Sequence, residues 1–308
     1  MKSQPCDRFF LSAILSFSLF SVSIEVRAED KAQPEIYVGF LEGEGPRRVF
    51  VLKSGTWQSA LPDADSIEAL NQERNIISEP KKWTVFFDGK VRTQLSVNPV
   101  KTVTLFKNLG LQQTAGKNPQ LPVQKPDSQF SAFDGPRVRP YLLTTDSNVS
   151  DPDRWKPDAK IKCPPAAKAA FKQIFGAQAN YDGSTDGEEP KKYLIEDKDI
   201  VLSKAYKTTA GTLGSRLIGL KLKLPINIKV SCETEGDRCE GAPTHWFYIP
   251  NEQKPIYLAK ASALVETADL NSDGTSDFAF WVSEYNLGGY SIVDGKTRAL
   301  IQAHWSYH

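Results

Sequence analysis

The sequence predicts a mainly β fold, an antiparallel architecture of several sheets with one short helix. Three observations carry this. Short runs rich in Val, Ile, Phe, Tyr and Trp recur from residue 35 onward, separated by Gly-, Asp- and Asn-bearing turns, a pattern of sandwiches, barrels and propellers. Between two such runs stands Asp88-Gly89, a strong hairpin signal because both residues tolerate positive φ. Only residues 164–175 have a clear helical composition.

In chain order, Glu35-Ile36-Tyr37-Val38-Gly39-Phe40-Leu41 and Arg48-Val49-Phe50-Val51-Leu52 read as strands around a Glu42-Gly43-Glu44-Gly45-Pro46 turn. Lys53-Ser54-Gly55 turns into Thr56-Trp57-Gln58, and 65–70 has the pattern of one or two helical turns. Residues 82–87 and 90–95 flank Asp88-Gly89. Residues 29–107 thus form an N-terminal β unit. A connector, 108–160, follows, because Pro119, Pro122 and Pro126 remove backbone donors; within it Arg139-Pro140-Tyr141-Leu142-Leu143 restores a strand. The third unit, 161–308, opens on the helix. Pro164 and Pro165 suit its first turn, alanines favour its interior and Gly176 stops it. Ala167, Ala170, Phe171 and Ile174 fall on one face, fit to dock on a sheet. Strands return at 200–206, 216–222, 226–230, 245–249, 255–258, 263–265, 278–282, 290–293 and 298–308. Of these, 216–222 alternates apolar with basic or small residues, the mark of a half-exposed strand.

The chain has 308 residues, room for one large or two modest domains. It carries 38 basic and 37 acidic residues. Residues 1–28 read as an export signal: Lys2 and Arg8, an apolar run over 9–24, then Val26-Arg27-Ala28 with small residues where a signal peptidase reads. That reading puts the mature N-terminus near Glu29 and the protein in the periplasm or outside the cell. A near-neutral chain without a basic stripe offers no electrostatic case for nucleic acid, or for a membrane once the signal is removed. Of the remaining cysteines, Cys232 and Cys239 enclose a polar turn and are expected to form a disulfide, contributing about 2–3 kcal/mol in the chain-entropy picture. Cys163 is left free. Asn148-Val149-Ser150 is a glycosylation sequon, meaningful in a eukaryotic source.

The stretch with the most chemistry is Asp269-Leu270-Asn271-Ser272-Asp273-Gly274-Thr275-Ser276-Asp277. Asp269, Asn271, Asp273 and Asp277 offer oxygen-bearing side chains, Gly274 permits a sharp turn, and the Thr275 carbonyl serves as a backbone ligand. Ca²⁺ takes about six to eight oxygens at roughly 2.4 Å, so such a set suits it. Phe280 stands where an EF-hand needs its bidentate acid, and the flanks read as strands, which excludes that motif. The pattern resembles the strand–loop–strand calcium sites of FG-GAP and VCBS-type repeats. The resemblance implies side-chain ligands at Asp269, Asn271, Asp273 and Asp277 and a carbonyl ligand at Thr275. It favours an irregular β-propeller-like or multi-sheet fold, although those families show several copies and this chain shows one. An Asp-Gly turn without an ion is the competing reading. The C-terminal segment, from Asp269 to His308, also resembles the ends of uncharacterised secreted bacterial proteins, a likeness that brings no activity with it.

No G-x-S-x-G elbow, H-E-x-x-H helix or P-loop is present in the sequence. His304 and His308 would share a strand face about 13 Å apart, too far to hold one ion. His245 is expected to pack. Glu284 has the chemistry of a glycosidase acid but no visible partner. Trp281, Tyr285 and Tyr290 suit either a core or a sugar- or peptide-binding surface. Two function classes follow. One is an extracytoplasmic calcium-binding structural or interaction module with a protein or carbohydrate partner; the other is a secreted, glycosidase-like hydrolase using scattered acids. The missing catalytic motif favours the first.

Overall fold

The computed structural model describes residues 35–42, 45–60, 80–97, 102–103, 111–112, 121–130, 136–176, 178–181, 192–224, 228–229, 243–251, 253–284 and 287–306. The export signal, the 65–70 segment, Cys232, Cys239, Tyr285 and His308 lie outside them. The described chain is mainly β, with its strands paired antiparallel in several sheets and one α-helix.

The first sheet has eight strands. They are β1 (Ile36–Glu42), β2 (Gly45–Lys53), β3 (Thr56–Ser59), β4 (Lys82–Phe86), β5 (Val91–Ser96), β6 (Thr102–Val103), β7 (Leu111–Gln112) and β8 (Tyr141–Thr144). Their order is β5-β4-β8-β1-β2-β7-β6, with β3 beside β2. Asp88 and Gly89 take φ of 53° and 67° in the β4–β5 turn, as that dipeptide predicts. The expected connector supplies β7, then β8, which lies between β1 and β4, and then β9 (Lys156–Pro157). Beyond β9 lies α1 (Pro165–Phe175), followed by β10 (Gln178–Tyr181) and β11 (Lys192–Leu194), which pair with β14 (Ile228–Lys229) in a small sheet. A five-stranded sheet runs β16-β15-β13-β12-β9, where β12 is Ile200–Lys207, β13 Arg216–Leu222, β15 Thr244–Ile249 and β16 Ile256–Ala261. Last comes a four-stranded meander: β17 (Ala263–Ala268), β18 (Asp277–Glu284), β19 (Leu287–Val293) and β20 (Leu300–Ser306).

This meander is the central layer. Ala279 and Trp281 of β18, with Tyr290, Ile292 and Trp305, pack against Val38, Phe40, Phe50 and Leu142 of the first sheet. Phe278, Phe280 and Val282 point to the opposite face, as strand period two requires, and meet Leu217, Trp246 and Tyr248 of the five-stranded sheet. A strand covered on both faces has no need of polar residues, which explains the unbroken apolar run over 278–282.

The five-stranded sheet is also covered twice, by the meander on one face and α1 on the other. Consequently β13 is mostly buried rather than half-exposed. Its apparent alternation arises from Gly219 and from Lys221, its exposed residue. Helix α1 begins after an extended Pro164 and ends at Gly176, whose N–H donates to Lys172 O at 3.0 Å. Ala167 and Phe171 bury, but Ile174 is 46 % exposed and Phe175 packs in its place. No helix among the described residues is long and apolar enough to cross a membrane.

Candidate functional site

Strands β17 and β18 pair as far as Ala268 opposite Asp277, so residues 269–276 connect them at one end of the central sheet. Short polar side chains at alternate positions fold back onto their own backbone. Asp269 accepts from the Asp273 N–H at 3.0 Å and from the Gly274 N–H at 2.9 Å. Asn271 Oδ1 accepts from the Asp273 N–H at 3.1 Å, and Asp273 Oδ1 from the Thr275 N–H at 2.9 Å. Gly274 adopts φ 85°, so a left-handed turn is used where only glycine is unstrained. Asp277, 0 % exposed, accepts from the Leu270 N–H at 3.0 Å and the Gly295 N–H at 2.7 Å.

That last bond brings in the β19–β20 turn. A Cβ on Gly295 would lie 2.2 Å from Ser276 O, so only glycine lets this turn close onto the loop. Its neighbour Asp294 accepts from Asn271 Nδ2 at 3.1 Å and, through its other oxygen, from the N–H groups of Lys296 and Thr297. Across the loop, Asp269 N–H donates to Ser150 O at 2.7 Å and Ser272 Oγ to Asp146 at 3.2 Å. Buried Asp151 accepts from Ser276 Oγ at 2.6 Å, Thr267 Oγ1 at 3.2 Å and the Trp155 N–H at 2.9 Å. Asp294, Gly295, Asp146 and Asp151 escape a reading by local motif. One signal could have found the first two: in a four-stranded meander, the first and third turns lie at the same end.

Burial pushes Asp277 up to about 7, with the nearby Asp294 and Asp273 carboxylates adding to it against two amide hydrogen bonds. Asp269 and Asp151 are raised by burial as well. Asp294 is lowered: burial opposes this, but the hydrogen bonds from Thr297 and Lys296 prevail. None of Asp269, Asp273, Asp277 and Asp294 forms a salt bridge among the described residues. Nor is any group of three or more His, Cys, Asp or Glu side chains among them arranged to hold a metal ion. The loop carboxylates are turned onto backbone amides instead.

Other candidate residues fall elsewhere. Glu284 pairs with Lys260 at 3.1 Å. Trp281 and Tyr290 are wholly buried, so these two are core and present no sugar-binding face. His304 meets Ser291 Oγ at 3.1 Å. Cys163 is free and half-buried. Asn148 is exposed in a turn. No protein-family model, curated protein or solved structure matches the chain.

Proposed function

We propose that the protein is an extracytoplasmic structural or interaction module stabilised by calcium, held by Asp269, Asn271, Asp273, Asp277 and the Thr275 carbonyl. One observation carries this reading: Asp277 is a fully buried carboxylate, close to two others, with no Lys or Arg paired to it among the described residues. A carboxylate in that position demands a counter-charge or a proton. The donors are all oxygens, which suits Ca²⁺ better than softer metals. A carboxylate oxygen that accepts one amide keeps a second lone pair, so the observed hydrogen bonds leave acceptor capacity for a cation.

When bound, the ion would supply the positive charge that Asp277 lacks among the described residues. The chain's own residues do the rest. Asp277 anchors the loop to β18 and to the β19–β20 turn, while Ser150, Asp146 and Asp151 fix it to the segment that follows β8. The loop therefore joins parts of the layer on which two other sheets pack, and its stabilisation is structural.

Extracellular calcium modules bind at about 10⁻⁴–10⁻³ M. At 10 mM calcium that adds about 1.4–2.7 kcal/mol to the wild type. Thermal melts with calcium and with EDTA should differ accordingly, and Asp273→Ala should remove the difference. Identical wild-type melts in the two conditions would mean the loop is an ordinary Asx-rich turn. The export part of the proposal is checked separately, by mass spectrometry of protein recovered outside the cytoplasm. An N-terminus near Glu29 is expected, and an intact Met1 would refute cleavage.

A further inference from the structure

His245 stands on β15, on the face of the five-stranded sheet that α1 covers. It is 6 % exposed. Its ring is enclosed by Phe171 at 5.1 Å and Phe175 at 5.7 Å, both edge-on, and by Tyr257 of β16 at 6.0 Å. Neither ring nitrogen has a hydrogen-bond partner among the described residues. By contrast, His304 has Ser291. A neutral imidazole buried this way leaves one donor and one acceptor unused; a protonated one would leave two donors and a full charge.

We propose that His245 is an acid-sensitive latch: protonation of its ring releases α1 from the five-stranded sheet while the central sheet stays folded. The surroundings offer the cation little. On β16, Lys260 is directly opposite in register and repels it. Glu284 of β18 attracts it but is already paired with Lys260 at 3.1 Å. Tyr257 is pushed up to about 12, first by burial, and stays neutral. Leu220, opposite on β13, is apolar. From the helix, Lys168 and Lys172 both turn away to Asp197, whose carboxyl is held below its ordinary value by Lys172 and so remains charged through mild acid. The aromatic rings can offer a cation–π contact, but that is the smaller effect against losing the ion's hydration. Helix release restores hydration to the imidazolium, whereas the doubly covered central sheet has no comparable unpaired histidine among the described residues.

Burial, then Lys260, depresses the folded value to about 4 from 6.5. A depressed histidine favours the docked state above the free value, and that preference is lost as pH falls from 6.5 toward 4. Between pH 7 and pH 4 the helix-opening constant should therefore rise about a hundredfold. The test is hydrogen exchange by mass spectrometry on the full chain, corrected for intrinsic rates, comparing peptides over 165–175 and 278–282. The wild-type helix should lose about a hundredfold of protection by pH 4 while the central strand keeps its own. His245→Gln and His245→Leu should hold helix protection level; if either fails to fold, the other serves. Three outcomes overturn the proposal: constant helix protection to pH 4, the same loss in a folded variant, or simultaneous loss in both segments.

Discussion

Glu266 on β17 and Asp277 at the head of β18 are carboxylates buried in the same sheet, yet the fold treats them differently. Glu266 receives Arg139 Nη2 at 2.7 Å and the Asp88 N–H at 2.7 Å. Arg139 also donates to Val265 O at 2.5 Å and Asp88 at 2.8 Å, and lies 4.3 Å over the Phe87 ring. This clamp fixes the β4–β5 hairpin tip to the central sheet. Asp277 has two amides, two nearby carboxylates and, among the described residues, no guanidinium or ammonium paired to it. Burial raises both carboxyls, but only at Glu266 does an arginine oppose the shift. The contrast shows that the chain can supply an internal cation to a buried acid, and among the described residues pairs none with Asp277.

The largest expected effect breaks the matched member. Arg139→Met strands Glu266 and should cost about 3 kcal/mol, toward the low end for a buried pair because the arginine side chain is 30 % exposed. Adding Glu266→Gln should recover much of it. Urea unfolding of the single and double variants measures both, and a loss below about 1 kcal/mol for Arg139→Met would show that Glu266 does not depend on the cation.

A smaller effect sharpens the unmatched member. The folded value of Asp277, raised to about 7, lies above the ordinary 3.8. Its contribution in EDTA is therefore fully present below the ordinary value and lost as pH rises through about 7. Calcium needs the ionised form, so the stabilisation by calcium over EDTA should grow from pH 6 to pH 8. A gap in melting temperature that stays flat across that window would detach Asp277 from the ion. The smallest change is Asp294→Asn in EDTA. It keeps an acceptor for the turn amides but weakens those bonds, costing about 1 kcal/mol, and it should reduce the pH slope by easing the pressure on Asp277.

Features set by neighbours in sequence were legible in it. The Asp88-Gly89 hairpin, the helix bounded by Pro164 and Gly176, the β17–loop–β18 unit and the mainly β class all rest on local backbone preference or on residue spacing, which a linear reading contains. The side chains of the loop could likewise be enumerated, because alternate Asp and Asn residues lie within one turn. Tertiary structure decided the rest. Nothing local to Tyr141–Thr144 says that it pairs between β1 and β4, since that depends on strands about a hundred and about sixty residues away. Burial of β13 on both faces, exposure of Ile174 and enclosure of His245 follow from which sheet covers which, a property of pairs of surfaces. Asp151 reaches Ser276 across 125 positions, and Asp294 meets Asn271 only because Gly295 lets a second turn close onto the first. Charge balance inside a fold is set by such distant approaches, so the sequence identifies the acids while packing alone decides that Glu266 has an arginine and that Asp277 has none among the described residues.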